Sequence, residues 1–211
     1  MRSPKLLRAV RKQRVGIYAG AFDPVHAGHV AFALQAAAAA KLDQIIFLPE
    51  RRPRYKPGVE HYAHRMAMIR RALAPHPRLA VMEMVDKNYS VMRTLPQLKS
   101  LFPDVDLVFL MGSDSALTIP AWPGAGRLLA CCELVVGVRA EHEFTYIDQT
   151  IRSWPVLPCS LKVIDSYAPD ISSSRIRQAL RENHYTKGLL SSVQRYARSE
   201  WLYVSAVSHT G

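Results

Sequence analysis

The stretch Gly20-Ala21-Phe22-Asp23-Pro24-Val25-His26-Ala27-Gly28-His29 constrains this chain more than any other. A strand-like run, Val15 to Ala19, precedes it, and an Ala-rich helical segment, Val30 to Lys41, follows. A strand, a tight turn with glycine and proline, then a helix start forms an anion site. The first N–H groups of the helix and the positive end of its dipole face whatever lies above the strand. Two imidazoles, His26 and His29, flank Gly28, which allows backbone and ligand to approach closely. The pair could ligate a metal, yet no Cys, Asp or Glu cluster stands nearby in sequence to complete a ligand set. They could also be incidental turn residues.

The remaining chain alternates. Strands are expected at Gln44–Leu48, Arg78–Met82, Asp106–Met111, Glu133–Val138 and Leu161–Ile164. Helices are expected at His61–Leu73 and at Val91–Ser100, where Ser90 is the N-cap candidate and Pro96 a break or kink. Short helical pieces should surround Trp122, with further helices near Tyr146–Arg152, Ser173–Glu182 and Ser191–Ser199. This order predicts an α/β fold, a single Rossmann-like, doubly wound parallel sheet with helices on both faces. Ligands bind such sheets at the carboxyl ends of the strands. The turn at residues 20–29, the basic loop Glu50–Glu60, Gly112-Ser113-Asp114 and Arg139 all follow strands, so they should converge.

Composition narrows the class. The 211 residues suit one domain, 15–204, between a basic extension, 1–14, and a tail, 205–211. Apolar residues make up 49% and charged ones 21%, which describes a globular chain. No run approaches the ~20 apolar residues of a membrane span. The formal charge of +11 asks for an anionic partner, either a phosphate-rich small molecule or a nucleic acid. Residues 1–14 hold six Lys or Arg and no acid, without the apolar core of a secretory signal. Three cysteines, Cys131, Cys132 and Cys159, without metal spacing, fit buried thiols in a reducing, cytoplasmic setting.

A second motif lies downstream. Ile171-Ser172-Ser173-Ser174-Arg175-Ile176-Arg177 opens a helix. Taken alone, its serines read as caps and its arginines as solvated surface. Together the two motifs resemble the signature of the nucleotidyltransferase superfamily with His-x-Gly-His, Ser174 standing where Thr is usual and keeping the hydroxyl. Leu48-Pro49 with a loop ending at Lys56, Tyr89-Ser90 with Thr94, Met111-Gly112-Ser113-Asp114 with Trp122, and Lys187-Gly188-Leu189-Leu190 to Trp201-Leu202-Tyr203 are similar to the nicotinate-nucleotide adenylyltransferase family.

That resemblance implies transfer of AMP from ATP to a pyridine mononucleotide, nicotinate mononucleotide first, with release of pyrophosphate, in NAD biosynthesis. It implies that His26, His29, Lys56 and Arg177 carry the reaction, with His26 allowed as a cation. Gly20, Ala21, Phe22, Gly28, Gly112, Asp114, Ser172 and Ser173 would join them in holding ATP. Lys56, Ser90, Trp122 and Arg139 would hold the acceptor. Mg2+ would ride on the ATP phosphates without a dedicated protein ligand set.

The bland readings stand beside these. Asp114 could be an N-cap and Trp122 a core residue. Ala21 stands where Thr or Ser is usual, Tyr55 near the usual His, and Pro123 removes a backbone donor after Trp122. The acceptor therefore stays open between nicotinate mononucleotide, nicotinamide mononucleotide and another phosphomonoester. A non-catalytic nucleotide or RNA binder is the reading from another class. No nucleic acid or membrane partner is expected, and a homo-oligomer is compatible with the sequence.

Overall fold

A computed structural model describes residues 11–54, 56, 58–138, 141–165 and 171–204. Six strands, β1 (Gln13–Gly20), β2 (Gln44–Pro49), β3 (Leu79–Val81), β4 (Val105–Gly112), β5 (Glu133–Val138) and β6 (Leu161–Asp165), form one sheet in the order β3-β2-β1-β4-β5-β6. Every pairing is parallel. The strand order reverses direction between β1 and β4, which leaves a crevice beyond their carboxyl ends. The register pairs Tyr18 with Leu110, so Gly20 and Gly112 end on the same rim.

Alternation along the strands explains the layers. Ile45 and Phe47 face one way, under α1 (Ala27–Ala39), α2 (Tyr62–Leu73), α7 (Ser173–Arg181) and α8 (Ser191–Ser199). Ile46 and Leu48 face the other, under α3 (Thr94–Leu101), α4 (Ser113–Ala116), α5 (Ala125–Cys131) and α6 (Glu141–Arg152). Both faces bury near-continuous apolar strands, as a parallel sheet requires. Gly137 in β5 has a packing reason: a Cβ there would lie 2.6 Å from the Phe32 ring of α1. Among the described residues no helix is long and apolar enough to cross a membrane.

Several boundaries differ from the sequence reading. Helix α1 begins at Ala27, three residues earlier than expected, because His26 caps it. Helix α3 begins at Thr94. Ser90 does not cap it; the Ser90 N–H donates to Thr94 Oγ1 and the Ser90 carbonyl accepts from the N–H groups of Arg93 and Thr94. That turn delays the helix until Pro96 falls in its first turn, where a missing N–H breaks no intrahelical bond. Pro96 therefore neither breaks nor kinks it. Helix α6 starts at Glu141, ahead of any apolar periodicity. The cysteines are free, but only Cys132 is buried; Cys131 and Cys159 are exposed.

The first strand takes in Gln13 and Arg14, which the sequence reading assigns to the basic extension. Arg14 forms a two-pronged pair with Glu133 at 2.8 and 2.9 Å, and both side chains are about four-fifths covered. The bond to Arg14 holds the Glu133 carboxyl below its ordinary range. A carboxylate with a lowered folded value stabilises above that ordinary range and loses its contribution as pH falls through the folded value. Glu133→Gln should cost about 1–2 kcal/mol at pH 7, between the values for exposed and buried pairs. Urea melts should show that gap closing below about pH 4. A gap unchanged at pH 3 would mean the charge contributes nothing.

Candidate active site

The turn after β1 is shaped by Phe22, whose φ of 49° places it in the left-handed region. Its ring packs 5.2 Å from Tyr18, 5.2 Å from Phe47 and 5.1 Å from His29. Phe22 is buried, so only its backbone can meet a ligand. Buried aromatic contacts fix a conformation that a non-glycine residue otherwise avoids.

His26 and His29 cap α1 for each other. The His29 N–H donates to His26 Nδ1 at 3.3 Å, and the His26 N–H donates to His29 Nδ1 at 3.2 Å. The rings stack with centroids 3.7 Å apart and planes 26° apart. This is a capping box built from two imidazoles in place of the usual Ser/Thr and Glu pair. A ring nitrogen that accepts from a backbone N–H carries a lone pair, so each neutral ring bears its proton on Nε2. In the neutral form of each ring the cap therefore fixes the tautomer. A cationic His26, allowed by the sequence reading, would break its own cap bond.

The same bonds narrow the anion site. The Ala27 N–H donates to the Gly188 carbonyl at 2.9 Å, and the His29 N–H is engaged by His26. Among the described residues, the first-turn donor that meets no protein acceptor is the N–H of Gly28. Sequence reasoning could not separate these three.

Residues 171–177 reach this turn directly. Arg177 donates to the Asp23 carbonyl at 2.7 Å and stands 3.7 Å from Asp23 Oδ2. Ser173 Oγ donates to the Pro24 carbonyl at 3.0 Å. Ser172 caps α7, accepting from the Arg175 N–H. Both serine hydroxyls thus serve the protein, and with the Arg175 N–H taken by the Ser172 cap, the first-turn donors of α7 that meet no acceptor among the described residues are the N–H groups of Ser173 and Ser174. Asp23 is the hub of this junction and is 3% exposed. Its Oδ1 accepts from the Tyr203 hydroxyl at 2.7 Å and from the Glu60 N–H at 3.2 Å. Burial and then Asp23 push the Tyr203 hydroxyl well above its ordinary value, so it stays a donor.

The basic loop after β2 is held at its neck. Arg65 of α2, wholly buried, donates to the carbonyls of Ala21 (2.6 Å), Glu50 (2.8 Å), Arg51 (3.2 Å) and Glu60 (2.9 Å). Nothing in the sequence separates this arginine from the solvated ones on the same helix; the apolar face of Tyr62, Met66, Ile69 and Leu73 was the visible signal. Glu50 accepts the Tyr89 N–H at 2.9 Å, and burial raises its carboxyl. Lys56, at the loop's outer part, is exposed.

On the β4 side, Gly112 ends the strand and is exposed. Asp114 lies inside the first turn of α4, whose flanking residue is Gly112, so the N-cap alternative for Asp114 falls away. Trp122 is half-buried, its indole N–H donating to Thr118 Oγ1 at 3.0 Å, with Tyr89 6.1 Å from its ring. It is neither a fully buried core residue nor freely exposed. Ser90 is half-buried beside Tyr89. Arg139 lies outside the described residues. No group of three or more His, Cys, Asp or Glu among the described residues could hold a metal ion.

What this geometry defines first is a class. Among the described residues the rim offers imidazole and backbone donors with a guanidinium beside them, and no activated nucleophile. That suits transfer of a group already carried by a nucleotide.

Comparison with known proteins agrees. The cytidylyltransferase-like family model matches residues 17–179. The probable nicotinate-nucleotide adenylyltransferase of Citrifermentans bemidjiense is 30% identical over 92% of this chain and 99% of its own. That of Carboxydothermus hydrogenoformans is 34% identical over 80% and 87%. In fold, the chain is similar to the Plasmodium falciparum nicotinic acid mononucleotide adenylyltransferase complexed with NaAD. The TM-score is 0.74 at 19% identity, covering 90% of this chain and 97% of that one. The chain belongs to the cytidylyltransferase-like family and, within it, to the nicotinate-nucleotide adenylyltransferases.

Proposed function

We propose that this enzyme transfers the adenylyl group of ATP to the phosphate of nicotinate mononucleotide, releasing pyrophosphate, as a step of NAD biosynthesis. The observation that carries the reading is the direct docking of the α7 start onto the turn that bears His26 and His29. Two segments about 150 residues apart in sequence thereby meet on one rim of the sheet, which supports their binding one polyphosphate.

The chemistry needs no protein nucleophile or general base. An oxygen of the mononucleotide phosphate, already anionic at neutral pH, attacks the α-phosphorus of ATP. The bond from that phosphorus to the β-bridging oxygen breaks, and pyrophosphate leaves with the electron pair. Catalysis then consists of holding two anions in line and compensating charge that develops on the transferred group. Nε2–H of His26 and His29 and the Gly28 N–H donate to phosphate oxygens. The first turn of α7 and Arg177 hold the pyrophosphate end. Lys56 brings a cation over the transferred group, and Asp114 takes a ribose hydroxyl. Ser90 and Trp122 form the acceptor side with Arg139.

The residues facing the phosphates are donors and cations rather than carboxylates, which fits Mg2+ carried by ATP itself. Bound there, the ion would neutralise charge on the leaving pyrophosphate. The free thiols of Cys131, Cys132 and Cys159 fit a cytoplasmic setting.

Pyrophosphate release from ATP should occur with nicotinate mononucleotide, and excess chelator should abolish it. Full rate in chelator would remove the metal. Release only with nicotinamide mononucleotide would reassign the acceptor, a change that Pro123 makes chemically reasonable because it withholds an N–H from the carboxylate. Release with neither, but with another phosphomonoester, would keep the reaction and replace its substrate.

A further inference from the structure

We infer that Arg65 is a positioning residue that locks the basic loop of residues 51–60 in register with the phosphate turn of residues 20–29. The inference rests on the reading that these two segments form one site.

A guanidinium has five N–H donors in a rigid planar fork. Arg65 directs four bonds to four different carbonyls, and their places in the chain are the informative feature. Glu50 and Arg51 lie where the loop leaves β2, Glu60 lies where it returns to α2, and Ala21 lies in the turn after β1. One planar group therefore closes the loop at its neck and ties that neck to the turn. A second tie runs parallel to it, the Glu60 N–H donating to Asp23 Oδ1.

The burial is unusual for this residue type. Arg65 is 0% exposed, and its bonds go to neutral carbonyls rather than to a carboxylate. Burial lowers its pKa, with Asp23 the largest opposing influence. A wholly buried guanidinium is costly unless its donors are satisfied, so its four bonds must be kept together. Any displacement of the loop neck relative to Ala21 breaks at least one of them. The group resists such displacement in a way that an apolar side chain of similar size could not.

The consequence reaches the chemistry through Lys56. That side chain is exposed, as are the described loop residues Arg51, Arg52, Arg54 and Gly58. Where it stands relative to the turn follows from where the neck is held. An error of about 1 Å in placing a catalytic group can cost on the order of 100-fold in rate.

Arg65→Lys is the informative variant. It keeps the charge but replaces the fork with a single ammonium, which cannot span the neck and the turn together. Arg65→Ala removes all four bonds and is the variant prone to misfolding. Pyrophosphate release should be followed with ATP and nicotinate mononucleotide, together with amide hydrogen exchange over the whole chain. In Arg65→Lys, kcat should fall about 100-fold while both KM values change little. Exchange should accelerate in residues 20–24 and 50–60 and stay unchanged in β4 and α8. A kcat within threefold of the parent would overturn the inference. So would acceleration spread evenly over the chain, which is what a merely structural role produces. If the parent enzyme releases no pyrophosphate, the functional reading fails separately, and the exchange pattern still decides whether Arg65 couples the two segments.

Discussion

His29→Ala lowers kcat by roughly 100- to 1,000-fold, the loss expected when one preorganised donor to a developing charge is removed. The same substitution takes away one half of the histidine capping box, the bond from the His26 N–H to His29 Nδ1. Losing a cap costs about 0.5–2 kcal/mol. For a chain of this length each kcal/mol moves the melting midpoint by about 2–4 °C. A domain with roughly 5–15 kcal/mol of stability remains folded at 25 °C after such a change. The rate loss and the stability loss are therefore separable. Steady-state kinetics at 25 °C, set beside a thermal melt of the same preparation, decide between them. A variant with near-parental kcat and a lowered midpoint would make His29 a cap and nothing more.

Arg177→Ala strikes both the site and the junction that builds it. The substitution removes the 2.7 Å bond to the Asp23 carbonyl and the partner 3.7 Å from Asp23 Oδ2. Asp23 then keeps only the Tyr203 hydroxyl and the Glu60 N–H around a carboxylate that is 3% exposed. Breaking a fully buried ion pair costs about 3–5 kcal/mol. The Arg177 side chain is 26% exposed, which brings the expected loss down to about 2–3 kcal/mol. In kinetics the KM for ATP should rise by roughly tenfold or more while that for the mononucleotide holds, because the proposed reaction has the arginine hold the pyrophosphate end. Arg177→Lys should recover part of the stability and little of the ATP affinity, since an ammonium cannot bond Asp23 and a phosphate as a fork does. Equal rises in both KM values would point to loss of the junction alone.

Much of this architecture was legible in the sequence, for stated reasons. Apolar runs such as Gln44–Leu48 and Glu133–Val138 alternate with 3.6-period segments, and that order leaves few topologies for a parallel sheet. The turn at residues 20–29 reads as an anion-binding helix N-terminus, whereas the Ser-Arg helix start reads alone as caps and solvated surface and joins that turn only through the family resemblance. What could not be read was which of their donors the protein itself uses. The capping box of His26 and His29 has no counterpart in the usual cap residues, so the apolar pattern alone starts α1 three residues late. The hydroxyls of Ser172 and Ser173 serve the cap and the Pro24 carbonyl, a division visible only once α7 meets the turn.

Long-range bonds hid the supporting residues. Arg65 reads as one more cation on a helix with Arg70 and Arg71, and only the fold reveals that it is the one turned inward. Tyr203 and Asp23 are 180 residues apart, yet share a 2.7 Å hydrogen bond. Ser90 fails as a cap for a local reason instead. Its backbone forms a turn with Thr94, and Pro96 is accommodated only when the helix begins after that turn.

The proposed reaction needs one polyphosphate to be gripped from two sides. A crystal structure with a non-hydrolysable ATP analogue tests that directly. The α- and β-phosphate oxygens should lie within about 3 Å of Nε2 of His26 or His29 and of the Gly28 N–H, with the terminal phosphates at the first turn of α7 beside Arg177. Phosphates seated anywhere else on the molecule, away from the two imidazoles and the α7 start, would contradict it.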